Sequence, residues 1–280
     1  MGWRRVDGAW RNHACIELIA RANVVTLMSN VSPTLDVLFT PADFSVLPKR
    51  DLSDSVCVVF DILRATTSMI TALSNGAESI LPVSEIPEAI ALAKQNPGAL
   101  LAGERDGLRI RAAQTGSVDF DLGNSPREFT ADRVRGKKII MTTTNGTRAL
   151  QSCKHAARIF AASFLNLAAT ARAVEEIAPR NVLVICAGTF EEAAYEDTLA
   201  SGAICDLVWN TFERGSTDAA RIARNIYLDG KGDLLKAFEK SRNARRLLGR
   251  VELSQDVAFC AQRDTVKIVA ELKNNAVERV

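Results

Sequence analysis

Residues 56–67, VCVVFDILRATT, decide the fold that we predict for this chain. Residues 56–60 are apolar without interruption, and Asp61 follows them directly. Such a run between polar residues is typical of a strand that is buried on both faces of a parallel sheet. Ligands of these sheets bind beyond the carboxyl ends of the strands. We therefore expect an anion, or a metal-bound anion, at the polar side chains that follow the run: Asp61, Arg64, Thr66 and Thr67.

Strand-like and helix-like segments alternate along the rest of the chain. Strands are predicted over residues 35–39, 56–60, 79–83, 99–102, 138–141, 157–161, 181–186 and 266–270. Helices are predicted over residues 67–74, 85–95, 146–153, 166–177 and 195–209, with Ser84 as an N-cap, and residues 103–124 are predicted to form an irregular loop. This alternation predicts an α/β fold with a mainly parallel sheet and helices on both faces. The order strand, polar loop, helix recurs and indicates an internal quasi-repeat.

The composition narrows the class of protein. Of 280 residues, 47% are hydrophobic, and we expect one α/β domain over residues 34–280 because no Pro-, Gly- or Ser-rich linker interrupts them. Residues 1–33 are interpreted as an N-terminal extension, and an N-terminal helix that packs on the domain is the alternative. A net charge of +2 gives no electrostatic reason to expect nucleic acid or acidic membranes as partners. An assembly of identical copies is left open.

The apolar segments and the cysteines point to the cytoplasm. No apolar stretch approaches the ~18–20 residues that a membrane-spanning helix needs. The six cysteines include no CxxC pair, so we expect reduced thiols in a cytoplasmic protein.

Polar residues also follow the predicted strands later in the chain. They stand in residues 103–107 (GERDG), 121–126 (DLGNSP), 141–149 (MTTTNGTRA) and 186–206 (CAGTFEEAAYEDTLASGAICD). Because parallel strands place their carboxyl ends along one edge of a sheet, we expect these segments to form a single site. Helix caps and carboxylates that complement helix dipoles are the structural alternative.

These residue types favour phosphoryl transfer with a hard metal ion. The chain has two histidines, His13 and His155, which argues against imidazole metal sites and Ser–His–Asp catalysis. Carboxylates beside hydroxyls favour Mg²⁺, and arginine with Mg²⁺ at a helix N-terminus suits transfer of a phosphoryl group to water. Asp61 either ligates the metal or attacks phosphorus. Haloacid-type phosphatases carry a second Asp two positions after the nucleophile, and Leu63 at that position favours ligation.

Taken together, these segments resemble the 2-phosphosulfolactate phosphatases. The resemblance rests on VVFDILRATT, GERDG, DFDLGNSP, TTTNGTRAL and CAGT…YEDTLASGAI, and it runs from about residue 35 to about residue 273. It implies a three-layer α/β/α fold and a Mg²⁺-dependent phosphatase that converts a phosphorylated sulfonate, 2-phospho-3-sulfolactate, to 3-sulfolactate and phosphate, a step in making coenzyme M.

The resemblance also assigns roles to individual residues. It implies catalytic roles for Asp61, Arg64, Glu104 and Asp197, and metal binding by Asp61, Glu104, Asp197 and Glu196. It implies substrate or phosphate binding by Thr66, Thr67, Arg105, Asn124, Ser125, Thr143, Thr144, Asn145, Gly146 and Thr147.

Two departures from the family pattern concern the substrate more than the chemistry. The loop at residues 109–118 is longer and more basic than the family pattern, and its Arg109 and Arg111 either bind the sulfonate or face water. Asn243 stands where a His-Gly-like pair is expected.

Three other functions stay open at this point. The same strand ends suit a non-catalytic phospho-ligand sensor or a phosphatase of another small phosphoester. A nicotinamide oxidoreductase is a weaker alternative because no GxGxxG follows a predicted strand.

Overall fold

The computed structural model describes residues 3–6, 9–12 and 32–280. Strands β1 (Trp3–Val6) and β2 (Ala9–Asn12) pair with each other in an antiparallel hairpin. Most of the predicted N-terminal extension, and the alternative of a packed helix there, lie outside the described residues. The other described strands form one sheet: β3 (Thr34–Leu38), β4 (Ser55–Phe60), β5 (Ser79–Val83), β6 (Leu100–Arg105), β7 (Leu108–Arg109), β8 (Lys138–Thr142), β9 (Arg158–Ala162), β10 (Asn181–Cys186), β11 (Gly215–Ser216), β12 (Ala270–Lys273) and β13 (Ala276–Arg279).

The sheet joins two groups of parallel strands that run in opposite directions. One group has the order β11-β3-β10-β4-β9, and the other has the order β5-β8-β6. The hairpin β12–β13 lies between them and pairs antiparallel with β9 and with β5. The prediction of an α/β fold with a mainly parallel, mixed sheet is therefore confirmed.

The predicted last strand at residues 266–270 is wrong. The chain instead forms the antiparallel hairpin β12–β13 over residues 270–279. Its turn residues, Asn274 and Asn275, have φ values of 51° and 64°. Asparagine tolerates this left-handed conformation, which two-residue hairpin turns require.

The helices connect the strands and cover the sheet. Those described are α1 (Pro41–Phe44), α2 (Ala65–Ser74), α3 (Ile86–Gln95), α4 (Ala112–Thr115), α5 (Ala131–Val134), α6 (Gly146–Ser152), α7 (Leu167–Ile177), α8 (Tyr195–Leu207), α9 (Trp209–Phe212), α10 (Asp218–Gly230), α11 (Leu234–Glu239), α12 (Arg242–Leu248) and α13 (Ser254–Cys260), with 3₁₀ turns at Leu47–Lys49, Pro126–Glu128 and Phe164–Asn166. The prediction of Ser84 as an N-cap is wrong. Glu85 holds that position, and the N–H of Ser84 donates to Glu88.

Strand β4 lies at the centre of the core and is buried along its whole length. Val58 and Phe60 pack toward α7 and α8 on one face, whereas Cys57 and Val59 pack toward α2 and α6 on the other. Because successive side chains of a strand point to opposite faces, this central strand needs apolar residues at every position. The layers are therefore helix, sheet and helix, as predicted.

The loop predicted over residues 103–124 is partly ordered. Strand β6 continues to Arg105 and turns through Asp106 and Gly107 into β7. Both turn residues have positive φ, 55° and 78°, and Asp-Gly is a frequent pair in hairpin turns of this kind. The turn carries β6 residues toward the carboxyl end of β4, where the candidate site lies.

Two remaining expectations concern cysteines and membranes. The described cysteines, at positions 57, 153, 186, 205 and 260, are free and buried, and Cys15 lies outside the described residues. Among the residues that the structure describes, no helix has both the length and the apolarity to cross a membrane.

Candidate active site

A polar cleft that opens to solvent lies where the carboxyl ends of β4, β6, β8 and β10 meet. Six residues singled out by the sequence line it: Asp61, Arg64, Glu104, Asn124, Thr144 and Asn145. One premise of that expectation is corrected, because these strands do not share one edge of a single parallel sheet. β4 and β10 run opposite to β6 and β8, and the ends of the two groups meet at the cleft.

Asp61 is the carboxylate at the end of β4, and it borders the cleft. Its Oδ1 accepts a hydrogen bond of 3.1 Å from the N–H of Ala65, at the start of α2. Its Oδ2 lies against Gly146, where an added Cβ would be only 2.5 Å away. Gly146 therefore lets α6 approach Asp61 as no larger residue would.

Burial raises the pKa of Asp61 to about 7, and the negative charges of Glu104 and Glu196 add to this shift. The N–H of Ala65 and the charge of Arg64 act in the opposite direction. The side chain is only half-buried, since one part of it faces the cleft. A carboxyl group that exchanges its proton near neutral pH is typical of active sites.

Glu104 borders the same cleft, but both of its oxygens are engaged. Oε1 accepts from the N–H and the hydroxyl of Thr144, at 2.9 and 2.8 Å, and Oε2 accepts from the N–H of Gly107 at 2.7 Å. Glu104 thus ties the β6–β7 turn to the loop after β8. It holds the wall of the cleft in place and adds negative charge beside Asp61.

Arg64 is buried and forms an ion pair of 2.7 Å with Asp256 of α13. Its other terminal nitrogen donates to the carbonyl of Gly107 at 2.7 Å. Asp256 also accepts from the hydroxyl of Ser125 at 2.7 Å. Arg64 therefore borders the cleft as a neutralised group rather than as an open phosphate clamp. No local pattern predicted Asp256 as the partner of Arg64, because the two residues are 192 positions apart.

Asp197 lies beneath the cleft and does not line it. Its Oδ1 accepts from the N–H of Ile62 at 2.8 Å, and its Oδ2 accepts from the N–H of Gly188 at 3.0 Å. It therefore fastens the loop after β4 to the loop after β10. Burial and the charges of Glu196 and Asp61 raise the pKa of Asp197, although the two N–H donors favour its charged form.

Glu196 is also buried, and one of its oxygens accepts from the side-chain amide of Asn243 at 2.7 Å. Its other oxygen has no hydrogen-bond partner, and burial raises the pKa of Glu196. Within the described part of the chain, no three Asp, Glu, His or Cys side chains gather as a metal site. The structure therefore does not assemble the expected ligand set of Asp61, Glu104, Asp197 and Glu196.

Most of the predicted hydroxyl ligands hold the loops instead of lining the cleft. Thr66 bonds the backbone of Asp61, and Thr67 donates to the carbonyl of Ile62. Thr143 and Thr147 bond each other's backbone across the start of α6.

Arg105, expected to bind phosphate, lies outside the cleft. Its guanidinium donates to the carbonyls of Glu104 and Ser84 and to the hydroxyl of Thr142.

Two amide oxygens of the cleft lack partners. Oδ1 of Asn124 and Oδ1 of Asn145 are buried and accept no hydrogen bond, whereas the amide nitrogen of Asn145 donates to the carbonyl of Phe190 at 3.0 Å. Buried polar atoms nearly always have a partner, so an orphan in a native cleft indicates an ion, water or ligand. The cleft therefore presents Asp61 together with two free oxygen acceptors.

Helix α12 supplies two cleft residues that the sequence interpretation did not assign to the site. Asn243 joins Glu196 to the hydroxyl of Thr189, and Arg246 borders the cleft one turn later. Positions i and i+3 share one face of a helix, so the pair was detectable once a helix was placed there.

A family model and several known proteins match most of this chain. The family model described as 2-phosphosulpholactate phosphatase matches residues 43–275. A protein of Caldanaerobacter subterraneus subsp. tengcongensis is 36% identical over 242 residues, which cover 86% of this chain and 97% of the relative. One from Caldicellulosiruptor saccharolyticus is 38% identical, with 82% and 93% covered, and one from Pseudothermotoga lettingae is 39% identical, with 84% and 94% covered. All three are named probable 2-phosphosulfolactate phosphatase.

Proposed function

This chain belongs to the 2-phosphosulpholactate phosphatase family, whose members are phosphoric monoester hydrolases, and we propose that it hydrolyses 2-phospho-3-sulfolactate with Mg²⁺ as cofactor. Water is consumed, the bond between phosphorus and the ester oxygen breaks, and 3-sulfolactate and inorganic phosphate are released. The observation that carries the proposal is the grouping of Asp61 with the partnerless oxygens of Asn124 and Asn145 in one cleft.

The donor set of the cleft fits Mg²⁺. This ion prefers oxygen ligands and is usually held by one or two carboxylates, with water and substrate phosphate in its other positions. Asp61, Asn124 and Asn145 would hold it, with Glu104 as a neighbouring negative charge, whereas Asp197 and Glu196 do not line the cleft. When bound, the ion would offset charge on the phosphoryl oxygens and increase the acidity of water.

The chain's own groups would bind and orient the phosphoryl group. Helices α2 and α6 both begin beside Asp61, and the positive ends of their dipoles favour an anion there. The N–H groups of Ala65, Thr66 and Thr147 in these first turns already donate to Asp61 and Thr143. Without the ion the pKa of Asp61 is about 7, and a bound cation would keep this carboxylate in its charged form. Leu63, Phe190 and Leu247 border the cleft and restrict the water around these charges, which strengthens their interactions.

The proposal is tested by release of inorganic phosphate from 2-phospho-3-sulfolactate and from a panel of simple phosphomonoesters. We expect turnover that needs Mg²⁺, stops with EDTA and returns with excess Mg²⁺. Binding of the sulfonated phosphoester without phosphate release at any Mg²⁺ concentration would instead identify a phospho-ligand sensor. Faster turnover of another phosphoester would identify a different substrate.

We also propose that the enzyme works in the cytoplasm. The five described cysteines are buried and unpaired, which suits a reducing compartment.

A further inference from the structure

The two arginines that line the cleft, Arg64 and Arg246, differ in whether a carboxylate neutralises them. Arg64 pairs with Asp256 at 2.7 Å. Arg109 pairs with Glu128 at 2.9 Å, and Arg111 pairs with Asp119 at 3.1 Å. Both candidates for sulfonate binding in the basic loop therefore already have acidic partners.

Arg246 is the exception. In the part of the chain that the structure describes, no carboxylate oxygen lies within 4.0 Å of its guanidinium nitrogens. Its side chain is half-buried and borders the cleft. A partly desolvated cation without an anion is unfavourable, so this position is suited to an anion that arrives with the substrate.

Gly107 leaves room for the side chain of Arg246 at the cleft. A Cβ added to Gly107 would lie 3.1 Å from its Nη2, so the glycine at this turn leaves room for the guanidinium. Asp61 instead lies against Gly146, on another part of the cleft wall. The cleft thus presents a carboxylate beside helix N-termini in one place and an unpaired guanidinium in another.

Helix α12 fixes the position from which Arg246 reaches the cleft. Ser241 caps the helix through the N–H of Ala244, and Ala244 and Leu247 are buried in the core. Asn243, one turn before Arg246, is bonded to Glu196 at 2.7 Å. The face that carries Asn243 and Arg246 is therefore turned toward the cleft by contacts on both sides of the helix.

We infer that Arg246 binds the sulfonate of the substrate and makes the enzyme select phosphoesters that carry this second strong acid. A sulfonate is fully ionised and presents several oxygens, and a guanidinium donates to two of them at once. The phosphoryl group would lie beside Asp61, so the two anions of one molecule would contact different residues of the cleft wall. This inference rests on the proposed function.

The test uses the full-length protein and its variants Arg246→Gln and Arg246→Lys, with Arg245→Gln as the matched control. Arg245 is on the same helix but is exposed, and it donates to the carbonyl of Lys240. The substrates are 2-phospho-3-sulfolactate, 2-phospholactate, which lacks the sulfonate, and 2-sulfoethyl phosphate, which lacks the carboxylate. The readout is kcat/KM for each.

We expect Arg246→Gln to lower kcat/KM about 10- to 100-fold for both sulfonated substrates, which is the range for a lost charge-assisted hydrogen bond. For 2-phospholactate, kcat/KM of Arg246→Gln should stay within about twofold of the wild-type value. On the sulfonated substrates, kcat/KM of Arg246→Lys should lie between the values of Arg246→Gln and the wild type. Arg245→Gln should match the wild type on all three substrates. An equal loss on all three substrates would overturn the inference, because Arg246 would then bind phosphate or carboxylate. No loss on any substrate would also overturn it.

A second measurement separates this inference from the proposed hydrolysis. Calorimetric binding of 3-sulfolactate needs no turnover, and lactate serves as the control that lacks a sulfonate. We expect wild-type protein to bind 3-sulfolactate at least about tenfold more tightly than Arg246→Gln does. If the protein binds 3-sulfolactate through Arg246 but releases no phosphate, the proposed function fails and the sulfonate site stands. Equal affinities of the wild type and Arg246→Gln for 3-sulfolactate would overturn the sulfonate site and leave the proposed hydrolysis unaffected.

Discussion

The cleft has two kinds of polar group, and they differ in whether the protein already satisfies them. We call Asp61, Asn124, Asn145 and Arg246 the lining groups, because they keep an oxygen or a charge at the cleft without a protein partner or with only a partial one. Arg64 and Glu104 also border the cleft, but the protein satisfies them. The supporting groups, Arg64, Glu104, Asp197 and Asp256, are bonded to backbone or to one another. The lining groups and the supporting groups each contain acidic and basic residues. These residues come either from the predicted sequence motifs or from helices that pack on those motifs.

Residue type alone therefore does not identify a functional group in this cleft. Asp61 and Asp197 both follow strands and both stand near the start of a helix. Asp197 uses both oxygens to join two loops, whereas Asp61 leaves one oxygen at the cleft. Changes in the supporting groups should lower stability, and changes in the lining groups should lower activity or ligand binding.

The largest effect is expected from Asp256→Ala, because it leaves the buried guanidinium of Arg64 without its partner. Breaking a buried ion pair on one side costs about 3–5 kcal/mol of unfolding free energy. Chemical denaturation would measure this loss. In an Arg64→Met background the same change should cost much less, and an unchanged cost there would show that the pair is not the cause.

Asp61→Asn should lower kcat by at least about 10²-fold, which corresponds to about 2.7 kcal/mol in the activation free energy. The amide keeps the shape and still accepts from Ala65, but it removes the charge that faces the cleft. Phosphate release at saturating Mg²⁺ measures the effect, and circular dichroism checks the fold. Near-normal turnover by a folded variant would remove Asp61 from the mechanism.

Asp197→Ala should lower the free energy of unfolding by about 1–3 kcal/mol net. It leaves the N–H groups of Ile62 and Gly188 without acceptors, and each unsatisfied donor costs roughly that amount. Relief of repulsion with Asp61 and Glu196 offsets part of the cost. Urea denaturation gives the value. A stability gain would show that repulsion outweighs the two hydrogen bonds.

The smallest effect is expected in the pH dependence of stability, measured in EDTA. Burial raises the pKa of Asp61 from 3.8 to about 7, so the native state binds more protons than the unfolded state between these values. Stability should therefore fall as pH rises from about 4 to about 7. Asp61→Asn should remove part of this slope and be more stable than the wild type at pH 8. Because Asp61 is partly open to solvent, the gain should be modest. Parallel curves for the two proteins would contradict the raised pKa.

Local signals in the sequence were enough for the central strand and for the position of Asp61. The apolar run before Asp61 predicted β4. The polar segments after β6, β8 and β10 predicted the strand ends that meet at the cleft. Each of these inferences uses neighbouring residues, whose pattern follows from burial and backbone geometry.

What the sequence interpretation missed depends on contacts between distant residues. The opposite direction of β5, β8 and β6 is set by the hairpin β12–β13, near the end of the chain. Its Asn274-Asn275 turn was a readable signal, but strand order is not local information. In the same way, no residue close to Arg64 in the sequence indicates that it pairs with Asp256. No residue close to Asp197 in the sequence indicates that its side chain is buried.

The most direct measurement of the account is Mg²⁺ binding by calorimetry to wild-type protein, Asp61→Asn and Asp197→Ala, each confirmed to be folded at the temperature used. The account predicts that Asp61→Asn loses Mg²⁺ binding and that Asp197→Ala keeps it close to the wild-type affinity. Binding of Mg²⁺ to Asp61→Asn with wild-type affinity, or its complete loss in folded Asp197→Ala, would contradict the division between lining and supporting groups.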